Sequence, residues 1–83
     1  MNISIDSDVT GHRVDVHAAA GRLQALRLDK GWPVTTLADL AGVPESVVRR
    51  AEKGSFSLIN VKKINDALGG NLSRVLFGDG ETP

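Results

Sequence analysis

The sequence predicts an all-α domain, a compact bundle of five helices behind a short N-terminal arm or β segment, and three observations carry that prediction. Apolar residues between positions 17 and 77 recur at spacings of three and four, the period of a helix with one buried face. Glycines fall just past each apolar run, at Gly31, Gly42, Gly54 and Gly69-Gly70, where helices end. Prolines and capping residues stand at the entrances: Asp15, Pro33, Pro44 and Ser57.

The stretch Leu37 to Gly54, LADLAGVPESVVRRAEKG, organises the rest. Leu37, Ala38 and Ala41 form one apolar pattern, and Val43, Val47, Val48 and Ala51 form the next. Gly42 lies between them and tolerates the positive φ of a tight turn. Helix, tight turn, helix is the unit whose second helix can enter the major groove of DNA.

Residues 1–16 form an arm. Apolar and polar residues alternate at Ile3 and Ile5 and again at Val14 and Val16, around Thr10-Gly11. That pattern fits a flexible acidic arm, a short hairpin, or one strand that pairs with its copy in a dimer. The domain proper spans residues 17–77. Its first helix is expected from His17 to Lys30, with Ala20, Leu23, Leu26 and Arg27 on one face, Asp15 capping its start and Lys30 in the last turn, where a cation suits the helix dipole. Trp32, the single tryptophan, is expected to drop into the core.

The second helix is expected from Val34 to Leu40 or Ala41, entered at Pro33, with Thr35 and Thr36 in its first turn. Pro44 repeats that entrance for a third helix from Glu45 to Lys53, stopped by Gly54. Ser57 caps a fourth, whose apolar stripe is Leu58, Val61, Ile64 and Leu68. A short fifth helix, Leu72 to Phe77, closes the core with Leu72, Val75 and Leu76, and residues 78–83 form a tail.

Composition sets limits. The 83 residues are 41% hydrophobic and only 4% aromatic, enough for one small aliphatic core. There is no cysteine, so neither a disulfide nor a thiolate metal site is available. No apolar run approaches the ~20 residues of a membrane span. The N-terminus lacks the basic and apolar regions of a signal peptide, so no membrane partner and a cytoplasmic location are expected. The formal net charge is zero, but its distribution is uneven: residues 21–77 carry nine basic against five acidic residues, an excess of +4, and the ends cancel it.

Four segments, LQALRLDKGW, LADLAGV, VVRRAEKG and VKKINDALGGNLSRVLF, in this order and spacing, resemble the lambda-repressor-like DNA-binding domain of the Cro/phage-repressor (XRE) type of transcriptional regulator. The resemblance covers about residues 20–77 and implies a structural ion pair between Arg27 and Glu52. Both lie beside apolar positions of their helices, where an unpaired charge is expensive. It also implies base-edge contacts from Glu45, Ser46, Arg49 and Arg50. Arginine bonds guanine through two hydrogen bonds, a carboxylate accepts from cytosine N4, and a short hydroxyl serves either partner. The plainer readings are an acid stabilising a helix start for Glu45 and a solvated face for the two arginines.

Thr35, Lys53 and Ser55 are the expected contacts to the DNA backbone, where charge and hydroxyls fix register. The chain departs from the family pattern at Pro33 and Val34, where a capping Ser/Thr and a phosphate-binding glutamine are common, and at Val47, where a polar residue is common. The loop Ser55-Phe56-Ser57 carries no charge. Modest affinity per monomer is therefore expected, and with it a homodimer reading two half-sites. Leu72, Val75 and Phe77 are the expected dimer surface, with the N-terminal arm as the other candidate. Phe56 is a third, although tucking against the fourth helix is the simpler reading.

Other chemistry finds little support. His12, Asp15 and His17 lie in or beside the arm with no further ligand, so no metal site is expected. There is no glycine-rich phosphate loop, no paired acid and no nucleophile with a nearby base, so no catalytic residue, no cofactor and no enzyme are expected. The expected function is a homodimeric regulator of double-stranded DNA, a repressor on a short inverted repeat. The alternative is a helix-turn-helix module for protein contact, such as an antitoxin-like or accessory partner. Zero net charge, Val34, Val47 and Glu45 favour that alternative; Arg49, Arg50 and Lys53 favour DNA.

Overall fold

The computed structural model describes residues 15–78, so the expectations for the N-terminal arm before Asp15 and for the tail from residue 79 lie outside the described residues. Five helices follow one another: α1 (Val16–Lys30), α2 (Val34–Ala41), α3 (Glu45–Ala51), α4 (Leu58–Leu68) and α5 (Leu72–Phe77).

Each boundary has a local cause. The Asp15 carboxylate accepts from the N–H groups of His17 and Ala18, both at 3.1 Å, and satisfies two donors of the first turn. α2 and α3 start after Pro33 and Pro44 without side-chain caps. The Ser57 hydroxyl accepts from the Asn60 N–H, and the Asn71 side chain accepts from the Arg74 N–H. Gly42 adopts φ 72°, and its N–H and that of Val43 both donate to the Ala38 carbonyl. That left-handed residue lets α3 begin with only three residues between it and the end of α2.

Leu23, Leu37, Val48, Val61 and Ile64 are fully buried, joined by Ala38, Ala51, Leu68, Val75 and Leu76. α2 packs on α3 and α4, while α1 packs on α5 and α4, so every helix contributes to one core. Ala38 and Ala51, both nearly inaccessible, place small side chains in the two helices of the helix-turn-helix. Removing Leu37 to Ala would cost about 2–5 kcal/mol, a large share of the stability of a domain this size.

Several sequence expectations are corrected. The third helix ends at Ala51, two residues early, because the Arg50 carbonyl accepts from both Lys53 and Ser55 and winds residues 52–54 into a turn. Leu58 is 63% exposed, because the first turn of α4 overhangs the edge of the core; Val61, Ile64 and Leu68 of the same stripe are buried. Trp32 packs only partly against the core, with the Lys30 ammonium 5.2 Å from its ring centroid. Among the described residues, no helix is long and apolar enough to cross a membrane.

Candidate nucleic-acid interface

The short α3 is divided by its own period. Val48 and Ala51, three apart, face the core; Val47 is half-buried against it. Ser46, Arg49 and Arg50 are left exposed, and the exposed surface continues through Lys53 and Ser55 in the following turn. Five of the residues expected at a DNA surface are thereby brought onto one contiguous stretch. Thr35 is also exposed, in the first turn of α2, and the neighbouring Val34 packs partly into the core, leaving no polar group there to reach outward.

Glu45 opens α3, where its carboxylate complements the helix dipole. It also holds Arg49: the guanidinium Nη1 lies 3.1 Å from Glu45 Oε1, with the Arg49 and Glu45 side chains 57% and 44% exposed. An acid four residues before a base on one helix is the local sequence signal of this pair. Arg50 projects beside it and lines a cleft of about 250 Å³ together with Val47, Ser55, Phe56, Ser57 and Asn60. Phe56 itself packs partly against the core, and the cleft brings in Ser57 and Asn60, residues that carry no helical-period signal of an outward role.

The end of α3 is anchored to α1. Arg27 donates from Nε to Glu52 Oε2 at 2.6 Å and from Nη2 to Oε1 at 2.9 Å, while Nη1 donates to the Trp32 carbonyl at 2.9 Å. Both side chains are nine-tenths covered. The hydrogen bonding of Arg27 to the Glu52 carboxylate is the main influence holding the guanidinium above its ordinary value, against the opposing effect of burial. His17, at the start of α1, packs against Gly54: a Cβ built there would stand 3.0 Å from the imidazole Nδ1. No local pattern in the sequence announces that contact.

Of the residues expected at a dimer surface, Leu72 and Phe77 keep part of their surface exposed and Val75 does not. Val75 is 3% exposed and belongs to the core, because the six-residue α5 turns it toward α1; Leu72 and Phe77 are half-buried. That burial is the core position expected of Val75, and an exposed place for it on a dimer surface is what the structure does not give.

A helix-turn-helix family model (HTH_3) matches residues 23–75, from the middle of α1 into α5. The crystal structure of the restriction-modification controller protein C.AhdI from Aeromonas hydrophila is similar to this chain at 34% identity and a TM-score of 0.68, covering 75% of this chain and 97% of that one. No curated protein matches. With the family model spanning well over half of the sequence and all five helices in place, the chain belongs to the helix-turn-helix family, in its XRE type of DNA-binding transcriptional regulator.

Proposed function

We propose that this regulator is a repressor that occupies a short inverted repeat as a homodimer, with α3 in the major groove. The observation that supports it most directly is the outward face of α3, where exposed Ser46, Arg49 and Arg50 run on into Lys53 and Ser55. A short helix offers few base contacts, so one copy reads one half-site and the second copy supplies the remaining affinity. Arg49 and Arg50 are the base readers in this proposal, Glu45 and Ser46 the flanking contacts, and Thr35, Lys53 and Ser55 the backbone contacts. Because the similar crystal structure is that of a restriction-modification controller protein, control of a restriction–modification system is the setting we propose for this chain.

Fluorescence-anisotropy titration of the DNA immediately upstream of its own coding region, at two salt concentrations, tests the proposal, with a random-sequence pool as the second probe. Tight, salt-sensitive binding lost in Arg49→Ala/Arg50→Ala, with helix content retained by circular dichroism, is the expected result. Failure on both probes would leave protein docking as the function of the same scaffold.

A further inference from the structure

We infer that Val47 and Arg50 together read a pyrimidine that carries a 5-methyl group beside a guanine of the same strand, an inference that rests on the reading above of α3 as the helix in the major groove. The two residues stand three positions apart on α3, so their side chains are neighbours on its surface, with about 5–6 Å between their Cβ atoms. Both line the cleft of about 250 Å³ to which Ser55, Phe56, Ser57 and Asn60 also contribute.

The lining falls into three kinds. Val47 and Phe56 pack partly against the core, and what they leave to the cleft is apolar. Arg50, exposed, supplies a guanidinium. Ser55, Ser57 and Asn60 supply hydroxyl and amide groups; the Ser57 hydroxyl accepts from the Asn60 N–H at 3.1 Å and keeps its own proton to donate.

Those three kinds match one nucleotide step. Of the groups that base pairs present in the major groove, the thymine C5-methyl is the apolar one; the rest are donors and acceptors. Val47 has no donor or acceptor, so a base N–H or carbonyl covered by it loses water and gains no partner. A methyl group covered by it gains about fourfold in affinity, the worth of one buried carbon. Cytosine lacks that methyl and 5-methylcytosine regains it, so the group recognised is the 5-methyl itself, on either base. Arg50 reaches further than Val47. Its guanidinium bonds guanine O6 and N7, which leaves the shorter Val47 to the neighbouring base edge, about 3.4 Å away along the strand. The hydroxyls and the amide then fall to the sugar–phosphate of that strand, where they fix register.

The assignment gives Val47 a role in specificity and makes modification of the DNA visible to the regulator. Cytosine methylated at C5 offers Val47 the contact that thymine offers, with the base pair unchanged. An operator with a cytosine at this step is therefore occupied more fully when that cytosine is methylated.

Anisotropy titrations of the whole chain test this on a duplex that the wild type selects from a random pool. Deoxyuridine replaces each thymine in turn, which removes the methyl group and keeps every hydrogen-bonding group. The expected result is a thymine beside a guanine at which that change weakens binding about fourfold. At the same place, 5-methylcytosine paired with guanine is expected to bind about fourfold more tightly than cytosine. In Val47→Ala both ratios fall toward one. Alanine suits a helix, and circular dichroism reports the fold; each ratio compares two duplexes on one variant, so a reduced folded fraction cancels. An effect on thymine alone would overturn the response to methylation and keep Val47 as a thymine reader. A selected duplex bound tightly with no such effect, or with an effect that Val47→Ala leaves unchanged, overturns the assignment and leaves α3 in the groove. A wild type that selects no duplex overturns α3 as the reading helix and this assignment with it.

Discussion

Arg27 and Glu52 meet across 25 positions of sequence through two nearly parallel bonds, Nε to Oε2 at 2.6 Å and Nη2 to Oε1 at 2.9 Å, and so fix the end of α3 to α1. Because both side chains are about nine-tenths covered, removal of either leaves a charge stranded in the protein. Glu52→Leu and Arg27→Met are each expected to destabilise the fold by about 3–5 kcal/mol. The double variant Arg27→Met/Glu52→Leu should recover most of that loss, since neither charge remains. Urea denaturation of all three measures the coupling; additive losses would show that the pair is not a unit. The guanidinium is held above its ordinary value, so its contribution is fully present below that value and disappears only as pH rises into strong alkali. No loss of stability from Arg27 titration is therefore expected across the neutral range.

Two glycines should respond to alanine with opposite signs. Gly21 sits inside α1 with nothing within 4 Å of an added Cβ, and Gly21→Ala is expected to stabilise by about 0.5–1 kcal/mol through the unfolded chain's lost freedom. Gly42 is equally uncrowded but lies at φ 72°, where a Cβ costs about 1–2 kcal/mol. Gly42→Ala is expected to destabilise by that amount through the local crowding of Cβ against its own backbone, with no clash against the rest of the molecule. Thermal melts separate the two, since each kcal/mol moves Tm by about 4–8 °C in a domain of this size.

The helices were legible because their signals are local. Asp15, Ser57, Gly31 and Gly42 act within a few residues of themselves, and each stands where the sequence places it. What failed depends on the rest of the molecule. Leu58 has the period of a core residue, but period says nothing of whether a helix's first turn still lies over the core. Val75 was expected both in the core and at a dimer surface, because six residues of α5 are too few to show which side faces in; its burial places it in the core. At the proposed DNA surface, the exposed positions of α3 were readable as its polar face. The Gly54–His17 contact was not, because it joins two elements distant in sequence.

The two cations on the proposed DNA surface should behave differently under substitution. Lys53 stands past the end of α3 and meets only phosphate in this proposal, so Lys53→Ala is expected to weaken all duplexes alike. It should also reduce the slope of log affinity against log salt by about one. Arg50→Ala should cost about 1–3 kcal/mol on the selected duplex and much less on random DNA. Anisotropy titrations over a salt series, with both duplexes, give slope and discrimination together. If Lys53→Ala altered sequence preference and Arg50→Ala did not, the assignment of base reader and phosphate contact would be reversed.

Glu45 gives the least intuitive expectation, because it is an acid on a surface proposed to meet a polyanion. Its carboxylate lies 3.1 Å from the Arg49 guanidinium with both side chains largely in solvent, so the pair itself adds little to folding. Its larger effect is on what Arg49 does. In the proposed complex, Glu45 orients Arg49 along α3 and competes with phosphates for it, so that a duplex must offer a base edge good enough to replace the carboxylate. Glu45→Gln keeps the side-chain shape, removes that competitor and removes a charge repelled by DNA. It is expected to raise affinity for random duplex, to steepen its salt slope by about one as Arg49 engages a phosphate, and to shrink the ratio of specific to random binding. Competition titrations of the two duplexes read the ratio directly. An unchanged ratio with unchanged slope would mean that Glu45 serves only the helix start, where its loss should then appear as about 0.3–1 kcal/mol of stability.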